Sequence, residues 1–234
     1  IGILFENRKQ KFANIHSELP GLIAKYCSET EVKKFIHVSA IGADADSKSI
    51  YQQSKFNGEQ KALNNFKNTV IIRPSVVCGV EDNFTNLFAK LSVLPIIPVV
   101  KKNYKFQPIL VNDVATAIVK AVEIKKNEGK IYEIGGPKVI RFGDMIKSIL
   151  STIGKKRLVI NLPMPIARIQ ASLLGLMPKP LLTKDQCEIL NEADNIVSKN
   201  NLTLKDLNIE PEDVEQAMSK WLWRFRSGGE FAKI

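Results

Sequence analysis

The sequence predicts an α/β fold built on a parallel sheet, and three observations carry that expectation. Lys34-Phe35-Ile36-His37-Val38-Ser39 and Thr69-Val70-Ile71-Ile72-Arg73-Pro74 are nearly continuous apolar runs. Such runs mark strands covered on both faces, as parallel strands are. Segments of helical spacing precede, separate and follow these runs, so strand and helix alternate and the crossovers take the right-handed course. A chain of 234 residues with 44% hydrophobic and 25% charged side chains is long enough for one sizeable core or two lobes and has the composition of an ordinary globular domain.

Taken in order, Ile1-Gly2-Ile3-Leu4-Phe5 reads as the exit of a buried strand, followed by a charged loop from Glu6 to Gln10. The chain is therefore expected to lack the beginning of its fold. A helix follows, with Phe12, Ile15, Leu19, Leu22, Ile23 and Tyr26 expected on its apolar face. Pro20 has no amide hydrogen and crowds the preceding turn, so it predicts a boundary or kink. Strand 34–39, helix 50–66 and strand 69–74 come next. Leu94 to Val100, interrupted by Pro95 and Pro98, reads as an irregular strand. Ile109 to Val114 leads into a helix reaching about Lys126, with the Asp113 carboxylate as its N-cap. Gly129 to Gly136 is a strand closed by a glycine turn, and the helix from Phe142 to about Ile153 stops at Gly154. The remainder reads as mainly helical, with turns at Pro178-Lys179-Pro180 and near Pro211. Within it, Pro163 to Met177 is apolar except for Arg168 and suits a helix packed in a small second lobe, or one leaning on a membrane or partner. Trp221-Leu222-Trp223-Arg224-Phe225-Arg226 suits either a partner anchor or a docking helix.

The formal charge is +10, from 34 Lys and Arg against 24 Asp and Glu. The basic residues are scattered and no basic stripe is interleaved with aromatics, so nucleic acid is not the expected partner. Cys27, Cys78 and Cys187 are an odd, widely spaced set that fits reduced thiols rather than a disulfide framework. His16 and His37 are the only histidines, and no Cys/His cluster has metal-ligand spacing, so no metal is expected. No stretch of about 18 uncharged apolar residues predicts a transmembrane segment, which leaves at most peripheral membrane association.

Ser39, Tyr51 and Lys55 point most directly at a chemistry. Ser39 ends a strand; Tyr51 and Lys55, four apart, share one face of the next helix. With 4 Tyr and 27 Lys in 234 residues, a chance Tyr-x-x-x-Lys is expected about 0.5 times, so the force lies in the strand, loop and helix around it. A phenol needs help to exchange a proton near neutral pH, and an ammonium one turn away supplies it. In that reading Tyr51 is a proton donor, Lys55 steadies the phenolate and grips ribose hydroxyls, and Ser39 bonds a carbonyl. The plain alternative has Tyr51 capping the helix and Lys55 paired with Glu59. Asn14 reads either as part of a relay to Lys55 or as a surface residue, His16 as surface or packing, and His37 as a buried, hydrogen-bonded core histidine. Arg73-Pro74-Ser75-Val76 ends the second strand, where free amides beyond Pro74 would suit a carboxamide; a plain strand terminator is the alternative. Ligands of open α/β sheets sit at the carboxyl ends of strands, where Ser39 and Arg73-Pro74-Ser75 converge.

Asn14 in Asn-Ile-His, Phe35 to Ala40, Tyr51-x-x-x-Lys55 with Gly58-Glu59, and Ile72-Arg73-Pro74-Ser75 resemble the extended and atypical short-chain dehydrogenase/reductase superfamily. Gly79 to Phe84, Leu182-Thr183-Lys184-Asp185-Gln186 and Trp221 to Phe231 resemble the branch that holds the nucleotide-binding accessory subunit of respiratory complex I and its bacterial relatives, which are classed as NAD-dependent epimerase/dehydratase-like. The resemblance spans essentially the whole chain. It implies the C-terminal part of a Rossmann-type parallel sheet over residues 1–126, a small, mainly helical lobe over 127–234, and NADP or NAD bound through Tyr51, Lys55, Arg73, Pro74, Ser75 and Val76. It also implies respiratory complex I subunits as partners. The location implied is cytoplasmic or peripheral on the inner membrane in a bacterium, or on the matrix side of a mitochondrion. The family's glycine fingerprint for the pyrophosphate is absent from these residues, and Ile1 corresponds to the family's fourth strand, so the sheet is expected to end on an unpaired edge. Three functions follow as alternatives: structural nucleotide binding, an active oxidoreductase or sugar-nucleotide epimerase/dehydratase using Ser39, Tyr51 and Lys55, or an interaction module that no longer binds nucleotide.

Overall fold

The computed structural model describes residues 2–175, 177 and 180–231. In chain order a π-helical segment, Ala13–Glu18, runs into α1 (Leu19–Ser28), followed by β1 (Phe35–Val38), α2 (Ile50–Asn65), β2 (Thr69–Pro74), β3 (Val77–Cys78) and α3 (Thr85–Leu91). Next come β4 (Ile96–Val100), β5 (Lys105–Phe106), β6 (Ile109–Leu110), α4 (Val111–Glu123), β7 (Ile131–Ile134), β8 (Ile140–Arg141) and α5 (Phe142–Thr152). Then β9 (Leu158–Leu162), α6 (Met164–Leu174) and α7 (Lys184–Asn191) lead into short helical turns ending at Phe225.

The central sheet runs β1-β2-β7 with all strands parallel. Val70, Ile71 and Ile72 are fully buried because β2 lies between two strands and under helices on both faces. Val70 and Ile72 share one apolar cluster with Ala117 and Ala121 of α4. Among the described residues β1 pairs only with β2, so its other edge has no strand beside it. The expected division at 126/127 assigns β7 to the second lobe, yet β7 hydrogen-bonds to β2. The chain thus returns to the sheet before building the rest.

A second cluster joins Phe88, Phe106, Met145, Ile146, Ile149, Trp221, Leu222 and Phe225. Two-stranded sheets β4-β9 and β5-β8 border it, and β9 is a strand that the sequence reading did not anticipate. The Leu94–Val100 segment forms a regular strand from Ile96 that pairs along its length with β9, Pro98 opposite Ile160. Pro98 is tolerated because a two-stranded sheet is all edge. The terminal docking reading holds for Trp221, Leu222 and Phe225, which are buried, with Trp221 Nε1 donating to Thr85 Oγ1 at 3.0 Å. Trp223 remains exposed.

Local corrections follow from burial. Leu22, Ile23 and Tyr26 face solvent, while Phe12, His16, Ser17, Pro20, Gly21 and Ala24 are buried. The π-turn inserts an extra residue and rotates the buried face, and small side chains on that face let α2 approach closely. Leu19 N–H bonds to the Asn14 carbonyl, so helix hydrogen bonding passes to the α form just before Pro20, which has no amide to offer. Asp113 is not the N-cap: α4 starts at Val111, and the Asp113 carboxylate accepts from Glu212 N–H at 3.1 Å. Gly154 does end α5, with φ +71° and Lys155 N–H bonded back to the Leu150 carbonyl. Residues 2–6 form no strand, and Leu4 is half exposed. Ile1 and the expected Pro178-Lys179 turn lie outside the described residues.

Candidate functional site

Ser49, not Tyr51, caps α2: its hydroxyl accepts from Gln52 N–H at 3.2 Å. A second cap comes from far along the chain. The Asp185 carboxylate, in the first turn of α7, accepts from Ser49 Oγ at 2.8 Å, Ile50 N–H at 2.6 Å and Tyr51 N–H at 3.3 Å. An anion there faces the positive end of the α2 dipole and its unsatisfied amides. At the other end of α7, Glu192 accepts from Ser47 Oγ at 2.8 Å and from Lys48 N–H. Helix α7 therefore clamps the loop that delivers Tyr51.

The Tyr51 ring is half-buried and meets His16 and Phe12 edge-on, at centroid distances of 5.2 and 5.8 Å. Its hydroxyl has no hydrogen-bond partner among the described residues. Burial pushes the phenol up to about 12, and the Asp185 charge adds to the shift. Lys55 is buried, and its Nζ donates to the Val38 carbonyl at 3.1 Å. Burial lowers the ammonium to about 8, against the opposing pull of Glu59. Ser39 follows Val38 at the end of β1; its amide bonds to the Ile72 carbonyl, and its buried Oγ has no partner. Lys55 is thus tied to the peptide just before Ser39. No hydrogen bond joins Ser39 Oγ, Tyr51 Oη and Lys55 Nζ to one another among the described residues. His37 is buried as expected but not hydrogen-bonded at Nε2, and burial, followed by the charge of Lys55, lowers its pKa to about 3.

The residues expected on the cofactor from the end of β2 are engaged elsewhere. Arg73 grips Glu59 with two bonds, Nε to Oε1 at 2.9 Å and Nη2 to Oε2 at 2.7 Å, and reaches Glu133 Oε1 at 3.4 Å. Burial works against this charge, but the bonds and charges of the two carboxylates outweigh it and raise the guanidinium pKa. The triad ties α2 to β2 and β7, and it explains why Glu59 does not pair with Lys55. The Pro74 carbonyl accepts from Ile41 N–H at 3.1 Å. Ser75 N–H is not free for a carboxamide; it bonds to the Ile134 carbonyl at 2.9 Å, and its Oγ donates to Asn195 Oδ1 at 2.6 Å. The half-buried Val76 packs against the second cluster, and its carbonyl accepts from Ile109 N–H.

Three residues here were not assigned to the site from the sequence, although of the two readings of His16 packing is the one that holds. His16 is buried against Tyr51, with Nε2 accepting from Ile3 N–H and Nδ1 bonded to Ser54 Oγ, both at 3.1 Å. Ser54 in turn donates to the Tyr51 carbonyl at 2.7 Å. Asn195 links three loops, donating to the Ile41 carbonyl while accepting from Ser75 and, at its carbonyl, from Gln107 N–H. Asp185 is the third; a capping-box Thr183-x-x-Gln186 around it was a legible signal of a helix start, but not of which second helix it would cap. Asn14 makes no side-chain hydrogen bond among the described residues: it is exposed and lines a groove of about 420 Å³ between α1 and α2 with Glu18, Leu22, Lys61 and Asn65.

Comparison with known proteins bears on this geometry. No family model matches the chain. It is 31% identical over 230 residues to NADH dehydrogenase [ubiquinone] 1 alpha subcomplex subunit 9, mitochondrial, of Mus musculus, covering 97% of this chain and 61% of that one. With the protein of the same name from Arabidopsis thaliana it shares 32% identity over 246 residues, covering 98% and 60%. The chain thus spans about 60% of the length of the curated relatives it matches. Among solved structures, UDP-glucose 4-epimerase of Thermotoga maritima superposes with a TM-score of 0.66 at 16% identity, covering 92% of this chain and 71% of that one. The dTDP-4-dehydrorhamnose reductase of Bacillus anthracis, in complex with NADP, gives 0.64 at 17% identity, covering 88% and 70%. The fold is Rossmann-type.

Proposed function

We propose that this chain, a homologue of the alpha subcomplex subunit 9 of NADH dehydrogenase, holds a nicotinamide nucleotide as an accessory component of the respiratory complex and does not turn it over. The observation that supports this reading most is the setting of Tyr51. Its helix end is covered by Asp185 of α7, burial and that carboxylate raise the phenol to about 12, and no described residue hydrogen-bonds its hydroxyl to help it give up a proton. Lys55 binds the Val38 carbonyl instead of approaching the phenol.

The residues fit one end of such a nucleotide. The unpaired Tyr51 hydroxyl and Lys55 ammonium suit the ribose hydroxyls, and the orphaned Ser39 Oγ suits an amide or carbonyl beside Pro74. Arg73 and Ser75 do not fit, because their side chains already bond to Glu59, Glu133 and Asn195. A nicotinamide nucleotide supplies hydride chemistry when bound; these residues would position it and keep water from one face. The reading places the chain on the matrix side of the inner mitochondrial membrane or, in a bacterium, on its cytoplasmic side. The orphaned Ser39 Oγ also favours a second reading, an active oxidoreductase or epimerase in which that hydroxyl meets a substrate carbonyl.

Calorimetric titration with NADH and NADPH tests the proposal. Binding by the wild type, weakened at least about tenfold in Lys55→Met by loss of a charge-assisted contact, with no carbonyl-dependent oxidation of the nucleotide, is the expected result. Absence of heat with either nucleotide would sink the proposal in favour of an interaction module. Oxidation abolished by Tyr51→Phe would sink it in favour of catalysis.

A further inference from the structure

Helix α6 is packed on one side and bare on the other. Ala167 and Ala171 are buried in a cluster with Val100 and Cys187. Ile166, Ile169 and Leu173, at spacings of three and four, form a stripe turned away from them, and they are 52%, 65% and 67% exposed. The strand leading into α6 continues the pattern: Leu158 and Ile160 of β9 lie exposed beside Ile96 and Pro98 of β4. A helix in a small lobe needs only one apolar face, and here small alanines supply it while the bulky side chains meet solvent.

The charge along this part of the chain is one-sided. From Met145 to Lys184, forty residues, there is no Asp or Glu and there are seven Lys and Arg. At the chain's frequency of 24 acidic residues in 234, about four would be expected in that length. Lys155, Lys156 and Arg157 stand immediately before Leu158, and Lys184 follows the stripe at the start of α7; none of these four has a carboxylate partner among the described residues. Arg168 pairs with Glu188 at 3.1 Å. No helix of the described residues is long and apolar enough to cross a membrane.

An exposed aliphatic stripe on a short helix, in a stretch of sequence that carries cations and no acids and beside a Glu188 already taken up by Arg168, has the chemistry of a segment lying in the interface of an anionic bilayer. We propose that α6 and the β4–β9 face dock this chain on an anionic lipid surface, with Ile166, Ile169 and Leu173 entering the headgroup boundary and Lys155, Lys156 and Arg157 meeting lipid phosphates. This docking is independent of nucleotide binding. A protein subunit covering the same stripe is the rival occupant; the absence of acids across forty residues favours lipid, since protein surfaces carry charges of both signs.

Vesicle flotation of the whole chain tests it, with phosphatidylcholine vesicles carrying or lacking 30% phosphatidylglycerol as an order-of-magnitude physiological load. The chain is expected to float with the anionic vesicles only. Ile169→Ser with Leu173→Ser should weaken flotation about tenfold or more, and Lys156→Gln about fivefold. These positions are exposed, so far-UV circular dichroism and melting temperature should match the wild type. Equal flotation with both vesicle types, flotation with neither, or a double variant that floats like the wild type overturns the proposal.

Discussion

His16 is buried in a state that excludes its charged form. Its Nε2 accepts the Ile3 amide hydrogen, so Nδ1 carries the proton and donates to Ser54 Oγ. Protonation would set a second hydrogen against that of Ile3 in a buried site. Burial, then the nearby Lys55 charge, lowers the pKa to about 4. The unfolded chain takes up this proton near 6.5 and the folded chain only near 4, so the unfolded state binds more protons between those values and stability falls as pH falls. Urea unfolding at a series of pH values should show stability falling between pH 6.5 and 4 as this residue titrates. His37, lowered to about 3, extends the loss further into acid. A His16→Phe variant should flatten the upper part of that slope; an unchanged slope would show that His16 is not the titrating group. The sequence showed Tyr51 and Lys55 through their spacing. It hid His16, because its neighbour on the site lies 35 positions away and one inserted helical residue turned it inward.

At the scale of elements, the approach of α2 to the π-helical segment decides which side chains the site receives. Gly58 is the contact point: a Cβ there would lie 1.8 Å from the His16 carbonyl oxygen, a backbone atom with nowhere to move. Gly58→Ala should therefore push the helices apart and cost about 3 kcal/mol or more, read as a lowered melting temperature with helical content retained. A variant as stable as the wild type would mean that the two helices do not pack this closely. The alternation of strands and helices was legible because buried parallel strands have a simple apolar signature. The buried face of α1 was not, because small residues carry it and large ones face outward. Strand β9 was not either, since Leu158–Leu162 has few residues and gains its identity only by pairing with β4.

At the scale of the whole molecule, α7 joins the second part of the chain to the first through Asp185 and Glu192. Asp185→Asn should keep the shape but lose the anion at the α2 N-terminus, costing about 1 kcal/mol. The Tyr51 phenol should titrate lower than in the wild type while burial still holds it above its ordinary value. Ultraviolet titration of the phenol checks the second effect, and an unmoved midpoint would show that Asp185 does not act on Tyr51. Spacing and hydropathy along the chain determined the α/β class, the strands at 35–38 and 69–74, the helix that begins at Ile50 and the four-residue spacing of Tyr51 and Lys55 on it, because each depends on neighbours within a few residues. Tertiary structure alone decided that Arg73 closes an ion triad, that Lys55 binds a strand carbonyl and that Asp185 sits over Tyr51. Those outcomes depend on charges and hydroxyls brought together across up to about 135 residues of chain, and no local pattern records which of them will meet.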